Sequence, residues 1–321
     1  MKWSLAIHGG AGIIERDEMS REREAEYRNG LTLALLAGEK ILIAGGTSLD
    51  AVEASVRELE DNPIFNAGRG AVYTEKSTIE LDAAIMDGKT TKAGAVAGVT
   101  RTKNPISLAR AVLEKTNRLF IGGNGADDLS ISLGLEQVGT DYFHTALRAR
   151  QFEKWQARQL EKLNKSHLMG TVGAVALDSH GNLAAATSTG GTTGKMSGRI
   201  GDTPIIGAGT IAINGLAAVS CTGTGEYFIR ESAARQICDR IKWNGQNIHE
   251  AAYETIMAIG AIGGDGGLIA MDANGDVAFA INDMGMYRGW VADGRKAQTS
   301  IYPGDVLRSE GREGRTSNEM H

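Results

Sequence analysis

Short runs of small and β-branched residues, broken by glycine and interleaved with helix-patterned runs, recur in both halves of this chain without steady βαβ alternation. That order constrains the fold more than any other feature. Parallel neighbours need a long crossover, usually a helix, whereas strand runs followed by helix runs point to an α+β chain, with antiparallel sheets covered by helices. Strands are expected at 4–8, 79–86, 94–99, 171–177, 182–188, 205–213, 217–221, 267–271 and 276–281. Helices are expected over 20–44, from Thr47 onward, over 105–116, and over 225–242 and 247–259. Thr47 and Asp50 form a Thr-x-x-Asp cap, and Asn104 before Pro105 reads as cap and first helical residue. The many tight turns this implies match the 43 glycines against 4 prolines.

At 321 residues the chain is long enough to bury a full core without covalent staples. A net charge of −5, from 34 Lys and Arg against 39 Asp and Glu, provides no field for nucleic acid or an anionic membrane, so a small-molecule partner is expected. The two cysteines, Cys221 and Cys238, are expected as reduced thiols. The opening MKWSLAIHGGAG has too short an apolar stretch for an export signal, and together these features predict a cytoplasmic protein with no membrane span.

Residues 148–169 begin a segment with six Lys or Arg against two Glu between Arg148 and Lys165, and read as a mobile linker, with an amphipathic helix as the alternative. The tail 308–321 is almost free of apolar residues and is expected to be disordered.

The stretch HLMGTVGAVALD, 167–178, places Thr171 where that polar segment gives way to an interior strand. A threonine hydroxyl is a poor nucleophile without a base in hydrogen-bond reach. No G-x-S-x-G elbow, H-E-x-x-H or paired Cys-x-x-Cys supplies a familiar alternative. Cutting the Gly170–Thr171 bond would free an α-amine with a pKa of about 7.7 to 8.0, placing base and nucleophile on one residue. Taken alone, the dipeptide reads as a turn glycine followed by a β-branched strand residue.

The motifs HGGAG (8–12), LEDNPIFNAGRGAV (59–72), ELDAAIMDG (80–88), GTVGAVALD (170–178), ATSTGG (186–191), GRIGD (198–202), SCTGTGE (220–226) and GMYRGW (285–290) occur in one order along nearly the whole chain. In that order they closely resemble the plant-type L-asparaginase and isoaspartyl peptidase family of N-terminal nucleophile hydrolases. The resemblance implies one catalytic domain, a four-layer αββα sandwich, that cuts itself into chains 1–170 and 171–321 and pairs them into a dimer of α–β units.

By the same resemblance Thr171 is the nucleophile, Thr189 is hydrogen-bonded to it, and Asn66 helps to place it. Thr222 and Gly223 would form the oxyanion hole. Arg199 and Asp202 of GRIGD, with carbonyls near Gly225, would hold the α-carboxylate and α-amine of an aspartyl unit; taken alone they are an ordinary surface pair. A substrate held so can present only its β-carbonyl, which implies hydrolysis of L-asparagine and β-aspartyl dipeptides. No cofactor is implied for catalysis. Carbonyls of Leu59, Glu60, Asn62, Phe65, Ala67 and Arg69 would hold a structural sodium ion. A glycosylasparaginase, or a non-catalytic amino-acid or nucleotide binder, remains the alternative. The loop GGTTGKM, 190–196, is one residue short of a phosphate loop and has Met196 in place of its Ser/Thr.

Overall fold

Side chains alternate along SLAIHGGAG and thereby place it between two cores: Leu5 and Ile7 join one buried cluster, Ala6 and Ala11 the other. The computed structural model describes all residues except 1, 13, 15, 17, 18, 161–169, 306 and 308–321. The first half contains β1 (Ser4–Gly12), α1 (Arg21–Ile43), α2 (Ser48–Asp61), β2 (Leu81–Asp87), β3 (Ala93–Val99), α3 (Pro105–Lys115), β4 (Phe120–Gly122), α4 (Asn124–Ser132) and α5 (Ala146–Leu160). After the seam come β5 (Val172–Leu177), β6 (Leu183–Thr189), β7 (Thr210–Ile213), β8 (Ala217–Gly223), α6 (Gly225–Glu231), α7 (Ala233–Asn244) and α8 (Ile248–Ala261). The chain then closes with β9 (Gly266–Asp272), β10 (Val277–Ile281), β11 (Gly285–Ala292) and β12 (Gln298–Ser300).

The strands form an eight-stranded sheet, β12-β11-β1-β5-β6-β2-β3-β4, and a four-stranded sheet, β10-β9-β8-β7. Helices α1, α2 and α3 cover the outer face of the large sheet, α7 and α8 that of the small one, and the inner faces meet through β1, β2, β5 and β6 against β7, β8 and β9. This is the expected αββα layering. All pairings are antiparallel except β3 with β4, which is parallel at the sheet edge. The Gly170–Thr171 seam leads directly into mid-sheet, because β5 pairs with β1 on one side and β6 on the other.

Several expected boundaries change. Residues 205–209 belong to a turn and not to β7, held by Ile205 N–H to Asp202 O, Ala208 N–H to Ile205 O and Gly207 at φ +93°. The helix expected over 225–242 breaks into α6 and α7 at Ser232, which sits in the left-handed region at φ +49°. Asn104 is the N-cap of α3 with Pro105 after it, but its side chain makes no capping hydrogen bond and its amide donates to Asp61 Oδ1 at 3.0 Å. Strand β11 was legible only as the motif GMYRGW, since its arginine is buried: Arg288 donates to the carbonyls of Met286, Tyr302 and Asp305.

The linker reading of 148–169 is corrected as far as residue 160. Arg148 is buried in α5 and donates to Ile64 O at 3.1 Å and to Gly70 O, while Phe152 stacks on Trp155 with centroids 5.5 Å apart. The amphipathic alternative prevails because the i, i+3 aromatics and the carbonyl-seeking guanidinium face one surface. Residues 161–169, and the tail 308–321, lie outside the described residues.

Helices α1 and α2 meet at Gly38, where an added Cβ would come within 2.7 Å of Leu5 Cδ2 and 3.0 Å of Ala51 O, and closer still to Ser55 Oγ. Backbone cannot yield cheaply there, so Gly38→Ala is expected to destabilise by about 1–3 kcal/mol despite its better helix propensity. A urea titration checks this; an unchanged or raised midpoint would refute the close approach.

Candidate active site

The Gly170 carbonyl accepts two hydrogen bonds, from Asn66 Nδ2 at 2.6 Å and Thr189 Oγ1 at 3.2 Å. Asn66 is oriented by its other contacts: Oδ1 accepts from Val72 N–H at 3.0 Å, so Nδ2 must face the carbonyls of Gly170 and Gly191. Thr189 ends β6. Its oxygen accepts from Gly191 N–H at 2.9 Å and from the Thr171 hydroxyl at 3.2 Å, and Thr189 sends its own proton to Gly170 O. The hydroxyl of Thr171 is thus tied to the carbonyl one bond away in sequence through one intervening hydroxyl.

Glycines make this approach possible. A register shift in β1 between His8 and Gly10 turns the backbone toward the seam, and Gly10, at φ +111°, faces Gly170 so closely that a Cβ would lie 2.7 Å from its Cα. Gly190 similarly lies against Asn66, 2.6 Å from Oδ1 to a would-be Cβ.

Thr171, Thr189, Arg199, Asp202 and Gly223 line one pocket together with Gly170, Gly191, Thr192, Gly201 and Thr203. Its free volume, about 10 Å³, is close to that of a single water site. Gly225 adjoins it, since a Cβ there would meet Asp202 Oδ1 at 2.9 Å. Thr222 is fully buried at the end of β8 with its oxygen accepting from Ala11 N–H at 3.2 Å, which leaves its proton free to point elsewhere. Asn66 stands behind the pocket and touches it only through the Gly170 and Gly191 carbonyls.

Two charged groups complete the wall. Arg199 forms a bidentate pair with Glu226, Nε to Oε1 at 2.8 Å and Nη2 to Oε2 at 2.7 Å, so its fork already holds a carboxylate. Glu226 stands in the quoted SCTGTGE but carried no role there. Asp202 is buried, its Oδ2 finds no partner among the described residues, and burial pushes its carboxyl up to about 7. An ammonium group is what such an oxygen lacks. The second residue that sequence reasoning passed over is His8, whose Nδ1 donates to Thr171 O at 2.8 Å.

The loop after α2 carries the carbonyls expected around sodium. Those of Leu59 and Glu60 lie in the last helical turn, where no i+4 N–H reaches, and Asn62 O and Ala67 O each accept one N–H and keep a second lone pair. The loop is curled tightly enough that a Cβ on Gly68, at φ +48°, would lie 2.6 Å from Glu60 O, and Glu60 Oε2 is buried without a partner among the described residues. An all-oxygen, mostly uncharged donor set fits a hard monovalent cation. Among the described residues no cluster of three His, Cys, Asp or Glu side chains could hold a metal. Lys195, the lysine of GGTTGKM, donates to Glu80 O at 2.9 Å and is buried, which leaves no cradle for a phosphate. Cys221 and Cys238 are buried free thiols whose pKa burial raises, and no helix among the described residues is long and apolar enough to cross a membrane.

The model of the family described as Asparaginase matches residues 1–301. The chain is 47% identical over 316 residues to a protein of Escherichia coli (strain K12) named isoaspartyl peptidase, covering 95% of this chain and 98% of that one. It is 43% identical over 308 residues to a plant-type L-asparaginase of Thermococcus kodakarensis, covering 91% and 97%. A Xenopus laevis protein named isoaspartyl peptidase/L-asparaginase is 42% identical over 290 residues, covering 88% and 91%.

The buried carboxyl of Asp202 yields a pH prediction. Its folded pKa, about 7, lies above its ordinary 3.8, so its contribution to stability is complete below 3.8 and is lost as pH rises through 7. Asp202→Asn cannot ionise and escapes that loss. The variant's urea midpoint should therefore gain on the wild type between pH 4 and pH 8; a constant difference across that window would refute the shift.

Proposed function

The chain belongs to the asparaginase family, and we propose from this membership and from the pocket at the Gly170–Thr171 seam how its residues divide the work. It is an amidohydrolase of the isoaspartyl peptidase/L-asparaginase type, which splits β-aspartyl dipeptides and L-asparagine and releases L-aspartate. The observation that carries the division of roles is the shared pocket wall: the Thr171 hydroxyl, the Arg199 guanidinium and the Asp202 carboxyl converge on one cleft, the groups that an amino acid's side-chain carbonyl, α-carboxylate and α-ammonium require.

Maturation comes first. The Thr171 oxygen attacks the Gly170 carbonyl carbon, which Asn66 and Thr189 polarise; the peptide C–N bond breaks, and the hydroxyl proton ends on the new α-amine. Water then hydrolyses the resulting ester, leaving a Gly170 carboxylate and a free Thr171. The products are an α chain, 1–170, and a β chain, 171–321, which pair into a dimer of α–β units in the cytoplasm.

In turnover the α-amine of Thr171 removes the hydroxyl proton and the oxygen attacks the β-carbonyl of the substrate. Charge that develops on that carbonyl oxygen is met by the Thr222 hydroxyl and the Gly223 N–H, each such donor being worth about 2.7–4 kcal/mol. The amine returns its proton to the departing ammonia or amino acid. Water cleaves the aspartyl ester by the same route and L-aspartate leaves. Arg199 takes the α-carboxylate in exchange for Glu226, and Asp202, with carbonyls near Gly225, takes the α-ammonium. The loop 59–69 holds a sodium ion that stiffens the segment carrying Asn66.

The test is a denaturing gel with N-terminal sequencing of the smaller fragment, together with rates on β-aspartyl dipeptide, L-asparagine and glycosyl-asparagine. A fragment beginning TVGAV and turnover of the first two are expected; Thr171→Ala should stay one chain and lose all turnover. Fully active wild type in one piece would refute the proposal, and preference for glycosyl-asparagine would move the substrate class. Exchange of sodium for choline is expected to lower Tm, and an unchanged Tm would remove the ion.

A further inference from the structure

Among the described residues one buried histidine lies near the seam, and that mechanism does not use it. His8 is fully buried, and burial lowers its pKa to about 3, so it is neutral at physiological pH. A carbonyl can only accept, so Nδ1 carries the proton toward Thr171 O and Nε2 must accept, from Ser220 Oγ at 2.8 Å. The Ser220 oxygen in turn accepts from Thr187 at 2.7 Å, and Thr187 from Thr210 at 2.6 Å. The protons of His8, Ser220 and Thr187 are thereby each assigned one direction, while the Thr210 hydroxyl faces both Thr187 Oγ1 and, at 3.1 Å, Thr203 O. The row crosses the gap between the sheets, from β1 to β8, back to β6 and on to β7.

Two facts give the row a task. The ladder of β5 with β6 starts at Val172, so the Thr171 carbonyl lies beyond it and is held by the imidazole. Ser220 lies two residues before Thr222 and shares its face of β8, and both hydroxyls contact β1, at His8 and at Ala11 N–H. An intact chain restrains Thr171 from both sides; after cleavage it is a terminus, and termini fray unless tied down.

We propose that His8, braced by Ser220, is a positioning residue that anchors the carbonyl of Thr171 once the seam is cut, and so holds the nucleophile in register with the oxyanion strand β8. The proposal rests on the cleavage reading above. Gly173 is the sequence trace of it, since a Cβ there would lie 2.5 Å from His8 Nε2 and nearer still to Ser220 Oγ.

The experiment compares wild type with Ser220→Ala, Ser220→Thr and His8→Asn, whose amide still reaches Thr171 O but not Ser220. Self-cleavage is followed on gels, and kcat and KM are measured per cleaved chain. Ser220→Ala and His8→Asn should cleave within about threefold of wild type yet lose at least tenfold in kcat with KM nearly unchanged, and Ser220→Thr should recover most of that loss. Equal loss of cleavage and turnover, or kcat within twofold of wild type, overturns the proposal. Nitrogen-15 spectra read the row without any substrate: His8 should keep Nδ1 protonated and Nε2 bare from pH 5 to 9. A proton on Nε2 overturns the proposal even if the wild type fails on β-aspartyl dipeptides, a failure that counts against the substrate reading alone.

Discussion

Two sheets can share a polar centre only if they approach closely, and here small residues on their inner faces set that distance. Ala6, Ala185 and Ala218 meet in the inter-sheet core, and Gly173 leaves space that any side chain would take from His8 and Ser220. Larger residues would widen the gap and strand a row of hydroxyls and an imidazole without partners, each costing about 1–3 kcal/mol. Close packing and polar satisfaction are therefore one constraint. A second apolar layer lies on the outer face of the large sheet, where Leu5 and Ile7 of β1 join Leu31 and Leu35 of α1 and Val56 of α2 in one buried cluster.

The seam inherits its geometry from that arrangement. Because β5 is central, the residue before it sits at the rim of the buried layer with β1 and β6 on either side, and the loops that follow β6 and β8 converge on it. Hydrogen bonds there run one way: Thr171 to Thr189, Thr189 to Gly170 O, with Asn66 adding a second donor to the same carbonyl. The charged wall opposes this neutral cluster. Arg199 is satisfied by Glu226, while Asp202 is buried with one oxygen that meets no partner among the described residues, so the two charges of the wall stand in unlike states.

The resemblance carried by eight short motifs singles out Thr171, Thr189, Arg199, Asp202 and Gly223, and the structure brings those five into one pocket. Thr222 and Gly225 lie beside it. Strand runs and helix runs likewise announced α+β layering, because periodicity is local information. The errors occurred where local pattern and tertiary demand diverged. Residues 205–209 are apolar yet fold as a turn, since Asp202 O captures the N–H groups of Ile205 and Gly209. The basic segment from Arg148 became a helix because its guanidinium found the Ile64 and Gly70 carbonyls, partners 84 and 78 residues away.

By itself, the order of residues determined the layer type, the glycines needed for close approach and the chemical inventory of the seam, all of which depend on side-chain type and short-range period. Only the tertiary structure decided that Glu226 occupies the Arg199 fork, that Asn66 turns its amide to Gly170, and that His8 bridges Thr171 and Ser220, 163 and 212 positions away from it in sequence. Those are contacts between strands and loops distant in the chain, and their partners are chosen by which faces the sheets press together.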